Sequence, residues 1–158
     1  MPHNAAELAG RTLDLAQFIP YRLSVLSNRI SNAFARAYSA RFDMTIPEWR
    51  VMAVLGSADG LSARDVAERT AMDKVQVSRA LARLVSKKRV QRAADMEDAR
   101  FARLSLTPKG RAIYDEIVPL ALGLEDTLVA ALTPAERASL ERIMAKLARQ
   151  LRVLGEER

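Results

Sequence analysis

The sequence predicts a mainly α-helical fold carrying one small β-hairpin, and three observations predict it. Apolar residues recur at three- and four-residue spacing along most of the 158-residue chain. Ser, Thr or Asp stands at the cap position before five of these runs, at Thr45, Ser62, Asp73, Thr107 and Thr133. Only VQRAAD (90–95) and FARLSL (101–106) partly alternate apolar and polar residues as strands do, around a polar loop from Asp95 to Arg100. Hydrophobic residues make up 49% of the chain and aromatics 5%, with Ala, Leu and Arg dominant, which suits one helical domain with one substantial core.

Taken in order, Met1 to Arg11 is polar or small and expected to fray. From Asp14 to Tyr38, the residues Leu15, Phe18, Ile19, Leu23, Leu26, Ile30, Phe34, Ala37 and Tyr38 follow the spacing of a long helix. Pro20 requires that helix to start afresh there or to kink. A long helix with one apolar stripe needs a cover, and the C-terminal end of this or another subunit is the natural one. Thr45 and Glu48 form a capping box that opens a helix from Ile46 to Leu55, ended by the Gly56 to Gly60 loop. Ser62 and Asp65 open a short helix to about Thr70, and Asp73, with Gln76 in the matching position, opens the next. Only Ala71 and Met72 separate the two, a connection that sets the steep angle of a helix-turn-helix, although the frequent turn glycine is missing.

Along the second of these helices Val77, Ala80, Leu81 and Leu84 form an inward stripe, leaving Lys74, Gln76, Ser78, Arg79, Ala82 and Arg83 on other faces. After Lys87-Lys88-Arg89 comes the hairpin. Thr107-Pro108 then starts a helix carried on by Ile113, Ile117, Leu120, Leu124 and Leu128, which Pro119 is expected to bend. Thr133-Pro134-Ala135-Glu136 is the clearest helix start in the chain. Leu140, Ile143, Leu147, Leu151 and Leu154 follow it in a short zipper-like seam.

Charge is placed unevenly. Leu61 to Ala112 holds 13 Lys/Arg against 6 Asp/Glu, whereas the rest holds 12 against 13, so the net +6 sits on the helix-turn-helix and hairpin. Such clustering is the footprint of phosphate neutralisation by a nucleic-acid reader. An α-helix fits the major groove, where Arg79 can bond a guanine edge, Gln76 an adenine edge, and Ser78 a base or a phosphate. At the hairpin tip Arg100 can enter a narrow minor groove, with Asp98 holding the tip or the guanidinium. The candidate DNA contacts are therefore Ser62, Lys74, Gln76, Ser78, Arg79, Arg83 and Lys87 with Asp98 and Arg100.

A membrane surface is a weaker partner, because the basic segments must also bury Val66, Leu81 and Leu104 and keep no broad apolar face for lipid. No run is apolar enough for a transmembrane helix and no signal peptide opens the chain, so a cytoplasmic, nucleoid-associated location is expected. There is no cysteine, and the lone histidine, His3, lies in the tail. Disulfides, thiol-based sensing, a histidine metal site and a serine-histidine catalytic pair therefore lack material, and neither an enzyme nor a cofactor is indicated.

The order of elements resembles the MarR family of bacterial winged-helix regulators over nearly the whole chain, from about Asp14 to Leu154. The resemblance rests on Asp95-Met-Glu-Asp98-Ala-Arg100, on Leu104-Ser-Leu106-Thr107-Pro-Lys-Gly110, and on the upstream Phe42-Asp-Met-Thr-Ile-Pro-Glu-Trp49-Arg-Val-Met-Ala-Val-Leu55. It implies a homodimer that binds a pseudo-palindromic double-stranded DNA operator, usually as a repressor, and often releases it when a small aromatic or other anionic ligand binds. The expected arrangement is a single domain, 1–158, with a winged helix-turn-helix at 45–107 and a helical dimerisation layer from 12–40 and 108–155.

Tyr21, Arg22, Trp49 and Arg50 are candidates for a ligand cleft between the first two helices. Their guanidinium groups suit a carboxylate and their rings an aromatic body. Similar family members accept phenolic or benzoic acids, and some accept aromatic acyl-CoA thioesters. Against this stands surface pairing of Arg22 and Arg50 with Asp14, Asp43 or Glu48. Two other functional readings stay open: a ligand-independent winged-helix dimer with weak sequence preference, and a protein-interaction scaffold that does not bind DNA. The ratio of operator to random-duplex affinity separates the first, and salt-dependent DNA binding the second.

Overall fold

The fold was established from a computed structural model that describes residues 12–94 and 102–156. The expected fraying of Met1 to Arg11 lies outside the described residues. The order of elements is α1 (Ile19–Phe42), α2 (Ile46–Ser57), α3 (Ala63–Thr70), α4 (Lys74–Ser86), β1 (Val90–Ala94), β2 (Ala102–Leu106), α5 (Pro108–Val129) and α6 (Pro134–Glu156). The chain divides into two compact units, Met1–Tyr114 and Asp115–Arg158.

The first unit is held by apolar stripes that meet. Val51, Met52 and Leu55 of α2, Val66 of α3, Val77, Leu81 and Leu84 of α4, Val90 of β1 and Leu104 of β2 are all almost completely buried. Burying such side chains contributes about 1.5–3 kcal/mol each, so the orientations of these short helices are set by what they cover. Both expected capping boxes form here. Thr45 Oγ accepts from the Glu48 N–H while Glu48 accepts from the Thr45 N–H, and Ser62 and Asp65 repeat the arrangement. At α4 the box is one-sided, since Asp73 Oδ1 accepts from the Gln76 N–H at 2.7 Å.

The long first helix starts afresh, as one of the two expectations had it. It begins at Ile19 rather than at Asp14 because Pro20 falls in the first turn, where its missing N–H leaves no bond unmade. Asp14 instead closes a turn, its backbone carbonyl accepting from the Gln17 and Phe18 N–H groups. The far end runs past the expected Tyr38 to Phe42, and Asp43 caps it in the left-handed conformation.

The hairpin pairs antiparallel from Val90 with Leu106 to Ala94 with Ala102. A bridge that the alternation pattern does not reveal adds a third edge. Leu61 pairs with Leu104, the Leu104 N–H donating to the Leu61 carbonyl at 2.8 Å, which ties the hairpin to the start of α3. Thr107 then caps α5, and the helix runs uninterrupted through Pro119.

In the second unit, Thr133 and Glu136 form the expected box at the head of α6. The seam of Leu140, Ile143, Leu147, Leu151 and Leu154 is exposed in the single chain, as is Met144 beside it. Arg137 pairs with Glu125 and Glu141 at 3.9 and 3.7 Å, but these contacts are exposed and contribute little. Among the described residues no single helix is long and apolar enough to cross a membrane.

Candidate nucleic-acid interface

Rotation of α4 about its axis is fixed by the burial of Val77, Ala80, Leu81 and Leu84, so the opposite face is presented outward by necessity. Lys74, Gln76, Ser78, Arg79, Ala82 and Arg83 are all exposed there or on the flanks, as the spacing predicts. Among the described residues the Arg79 guanidinium has no partner, which leaves its donors available to a ligand.

The C-terminal end of α4 is locked in two ways. Its backbone closes in a Schellman arrangement, with the Arg89 N–H donating to the Leu84 carbonyl at 2.8 Å and the Lys88 N–H to the Val85 carbonyl at 2.9 Å. Lys88, at φ 56°, takes the left-handed position that glycine usually fills. The side chains then bolt this end to the α1–α2 corner. Lys87 Nζ lies 3.1 Å from both Glu48 Oε1 and Asp43 Oδ2, and Arg83 Nε lies 3.3 Å from Glu48 Oε1. Arg89 is buried and donates to the carbonyls of Phe42 and Asp43 at the C-terminus of α1, where the helix dipole favours a cation. Its Nε is buried with no partner among the described residues.

Glu48 is the centre of this lock. Its side chain is fully buried, and burial alone pushes its carboxyl up. The N–H and hydroxyl of Thr45 and the Lys87 ammonium pull it down further, so it ends below the ordinary carboxylate value and stays charged. Lys87 holds Asp43 low as well, by hydrogen bond and by charge. Arg83 and Lys87 were expected to face a ligand. Lys87 is largely engaged inside this cluster, whereas Arg83, with its side chain 55% exposed, keeps part of its fork in solvent.

Ser62 joins two arginines that sequence reasoning passed over. With Arg64 and Arg92 it lines an open groove of about 280 Å³ between the N-terminus of α3 and the hairpin. Arg92 lies on β1 opposite Leu104, and its place beside Ser62 follows from the Leu61 bridge, which no local pattern announces. Arg103 Nη1 donates to the Gly60 carbonyl at 2.9 Å and braces the same corner. Asp98 and Arg100 lie outside the described residues.

The four cleft candidates do not come together within the chain. Trp49 and Arg50 line a cavity of about 170 Å³ with Ile30, Ser31, Phe34, Tyr38 and Ile46. Tyr21 and Arg22 instead line an open apolar groove along the first half of α1, with Leu15, Ile19 and Leu26 among its walls. The separation follows from helix geometry, because the ten residues from Tyr21 to Ser31 advance about 15 Å along the axis.

Among the described residues the expected pairing of Arg50 with an acidic residue does not form, and Asp43 and Glu48 are taken by Lys87. Arg50 Nη2 donates to Ser31 Oγ at 3.1 Å instead. Trp49 packs between Tyr38 and Tyr114, with ring centroids 5.6 and 5.9 Å away. Burial pushes the Tyr38 hydroxyl up to about 12, against the pull of Arg50, so it remains a neutral donor.

Comparison with known proteins places this geometry. Residues 42–100 match a family model described as MarR family. The chain is 35% identical over 86 residues to the HTH-type transcriptional regulator TtmR of Methylorubrum extorquens (strain PA1). That match covers 52% of this chain and 44% of TtmR, so the chain spans less than half the length of the curated relative it matches. Among solved structures, a MarR/EmrR family transcriptional regulator from Acinetobacter sp. ADP1 superposes with a TM-score of 0.81 at 26% identity, over 88% of this chain and 98% of that one. Bordetella bronchiseptica BpsR, whose DNA binding is regulated by 6-hydroxynicotinic acid, superposes with a TM-score of 0.76 at 25% identity, over 87% and 98%. With capped α3 and α4, the paired hairpin and the Thr107 start of α5 in order along the chain, it is similar to the MarR family over residues 42–100 and shares the fold of these regulators.

Proposed function

We propose that the chain is a homodimeric, sequence-specific DNA-binding transcriptional repressor acting at a pseudo-palindromic operator. The observation that carries this reading is the outward face of α4, where Lys74, Gln76, Ser78 and Arg79 stand exposed on a helix that the buried stripe and the Glu48 cluster hold rigidly. Ser62, Arg64 and Arg92 supply phosphate contacts from the neighbouring groove, and Arg100, which lies in sequence between β1 and β2, is the candidate for the minor groove. Leu15, Ile19, Leu23 and Leu26 in the first unit and, separately, the seam of α6 in the second are exposed apolar faces of the kind that a second copy covers. Two readers then meet half-sites about 34 Å apart.

Fluorescence anisotropy with a duplex selected from a random pool tests this. Raising salt from 50 to 200 mM is expected to weaken wild-type binding by about 10³-fold or more. Arg79→Ala is expected to lower affinity for the selected duplex by roughly 5- to 150-fold while changing random-duplex affinity far less. Equal affinity of variant and wild type for the selected duplex, or sedimentation at the 17.5 kDa of one chain under binding conditions, overturns the reading.

The effector is a single-ring aromatic acid. The cavity around Trp49 is lined by three aromatic rings with one guanidinium, which suits a flat anion, and about 170 Å³ is too small for a CoA thioester. BpsR, with its 6-hydroxynicotinic acid, supports the same ligand class. Calorimetry with 6-hydroxynicotinate and benzoate is expected to show binding that weakens about tenfold or more in Arg50→Ala. Binding of neither acid, or unchanged binding in the variant, removes the assignment.

A further inference from the structure

The outermost ridge of α4 is not wholly polar. Val75 is 58% exposed at the second position of the helix, and Ser78, Arg79 and Ala82 lie three, four and seven residues beyond it. That spacing puts the four on one line down the face opposite Val77, Ala80, Leu81 and Leu84. Among the described residues Val75 has no place in the buried core. Nor does it cap the helix, a task that falls to Asp73. A β-branched residue also forms helix less readily than the residues usually found at such exposed positions. Its stiff χ1 holds two methyl groups in fixed places one turn before the Arg79 guanidinium.

We infer that Val75 is a specificity-determining residue that packs against the C5-methyl group of a thymine in the major groove, beside the base edge bonded by Arg79. The inference rests on the reading of α4 as the helix that enters the groove. In the major groove the C5-methyl is the one apolar feature of the base edges, and small apolar side chains are its natural partners. The polar neighbours Lys74, Gln76, Ser78 and Arg79 answer to phosphates and to donor and acceptor groups, whereas Val75 answers to none of them. An apolar protein partner would need a wider patch than one valine between a lysine and a glutamine.

The test uses the full chain and a duplex selected by the wild type from a random pool. Each thymine of a half-site is replaced in turn by deoxyuridine, which removes the methyl group and leaves every hydrogen-bonding atom. Wild-type affinity is expected to fall about fourfold per half-site at one thymine position, the equivalent of one buried methyl group. Val75→Ala, whose melting temperature is expected to match the wild type, loses that dependence at the same position. A selected duplex whose affinity is indifferent to every such replacement overturns the contact and leaves the DNA reader standing. So does a deoxyuridine penalty of equal size in Val75→Ala. If the wild type enriches no sequence at all, the reader and the contact fall together.

Discussion

Glu48→Ala is expected to lower stability by about 3 kcal/mol and the melting temperature by roughly 10 °C, measured by thermal denaturation at neutral pH. Three losses coincide in that one carboxylate. The Thr45 N–H and hydroxyl at the head of α2 lose their acceptor, and Lys87 and Arg83 lose the buried anion that draws the end of α4 inward. The figure stands at the low end of what breaking a buried ion pair costs, because both cations keep some access to water.

The same group sets a pH dependence whose sign follows from its lowered value. A carboxyl held lower in the folded than in the unfolded chain contributes stability that is complete above its ordinary value of 4.5 and is lost as pH falls through the folded value. Asp43, Asp65 and Glu136, all lowered, act in the same direction. Glu48→Gln keeps the volume and one acceptor but not the charge. Its melting temperature is therefore expected to start lower than wild type at pH 7 and to fall less steeply below about pH 4.5. An acid limb as steep in Glu48→Gln as in wild type, together with an unchanged melting temperature in Glu48→Ala, would show that the cluster does not hold α4.

What the sequence discloses of this fold is what local periodicity can encode. The capping boxes at Thr45, Ser62 and Thr133 are each set by two residues three apart, and the stripe of α4 by four. Turn geometry was less legible. Asp43, Ala71 and Lys88 all sit at positive φ, where glycine is the usual signal, and the surrounding contacts override the strain of a Cβ there. Contacts between residues distant in sequence were not legible at all. Glu48 reads as a helix cap, and its second role depends on Lys87, 39 residues further on. Tyr38 and Tyr114 flank Trp49 from two other helices, and Arg92 meets Ser62 only because Leu61 pairs with Leu104. The cleft set was split for a related reason, since chemical suitability was legible and position along α1 was not.

Gly110→Ala is expected to destabilise by about 2–4 kcal/mol, although replacing glycine by alanine inside a helix ordinarily gains about 1 kcal/mol. The reversal comes from the hairpin that α5 follows. A Cβ at Gly110 would stand 2.0 Å from the Arg89 carbonyl oxygen and 2.9 Å from its carbon, and both atoms are backbone. That carbonyl cannot easily retreat. It accepts from the Thr107 N–H at 3.0 Å, the Arg89 N–H is spent on the Leu84 carbonyl, and the Arg89 side chain is anchored on Phe42 and Asp43. The first turn of α5 must therefore lift away, which breaks the bonds from Thr107 to Arg89 and Lys88 and loosens β1 at its start. Gly123 supplies the control on the same helix. It lies off the apolar stripe, and a Cβ there meets nothing within 4 Å. Gly123→Ala should then raise the melting temperature by a few degrees while Gly110→Ala lowers it by roughly 5–15 °C. A melting temperature for Gly110→Ala at or above that of the wild type would mean that α5 and the hairpin are not in the close contact that ties the wing to the helices.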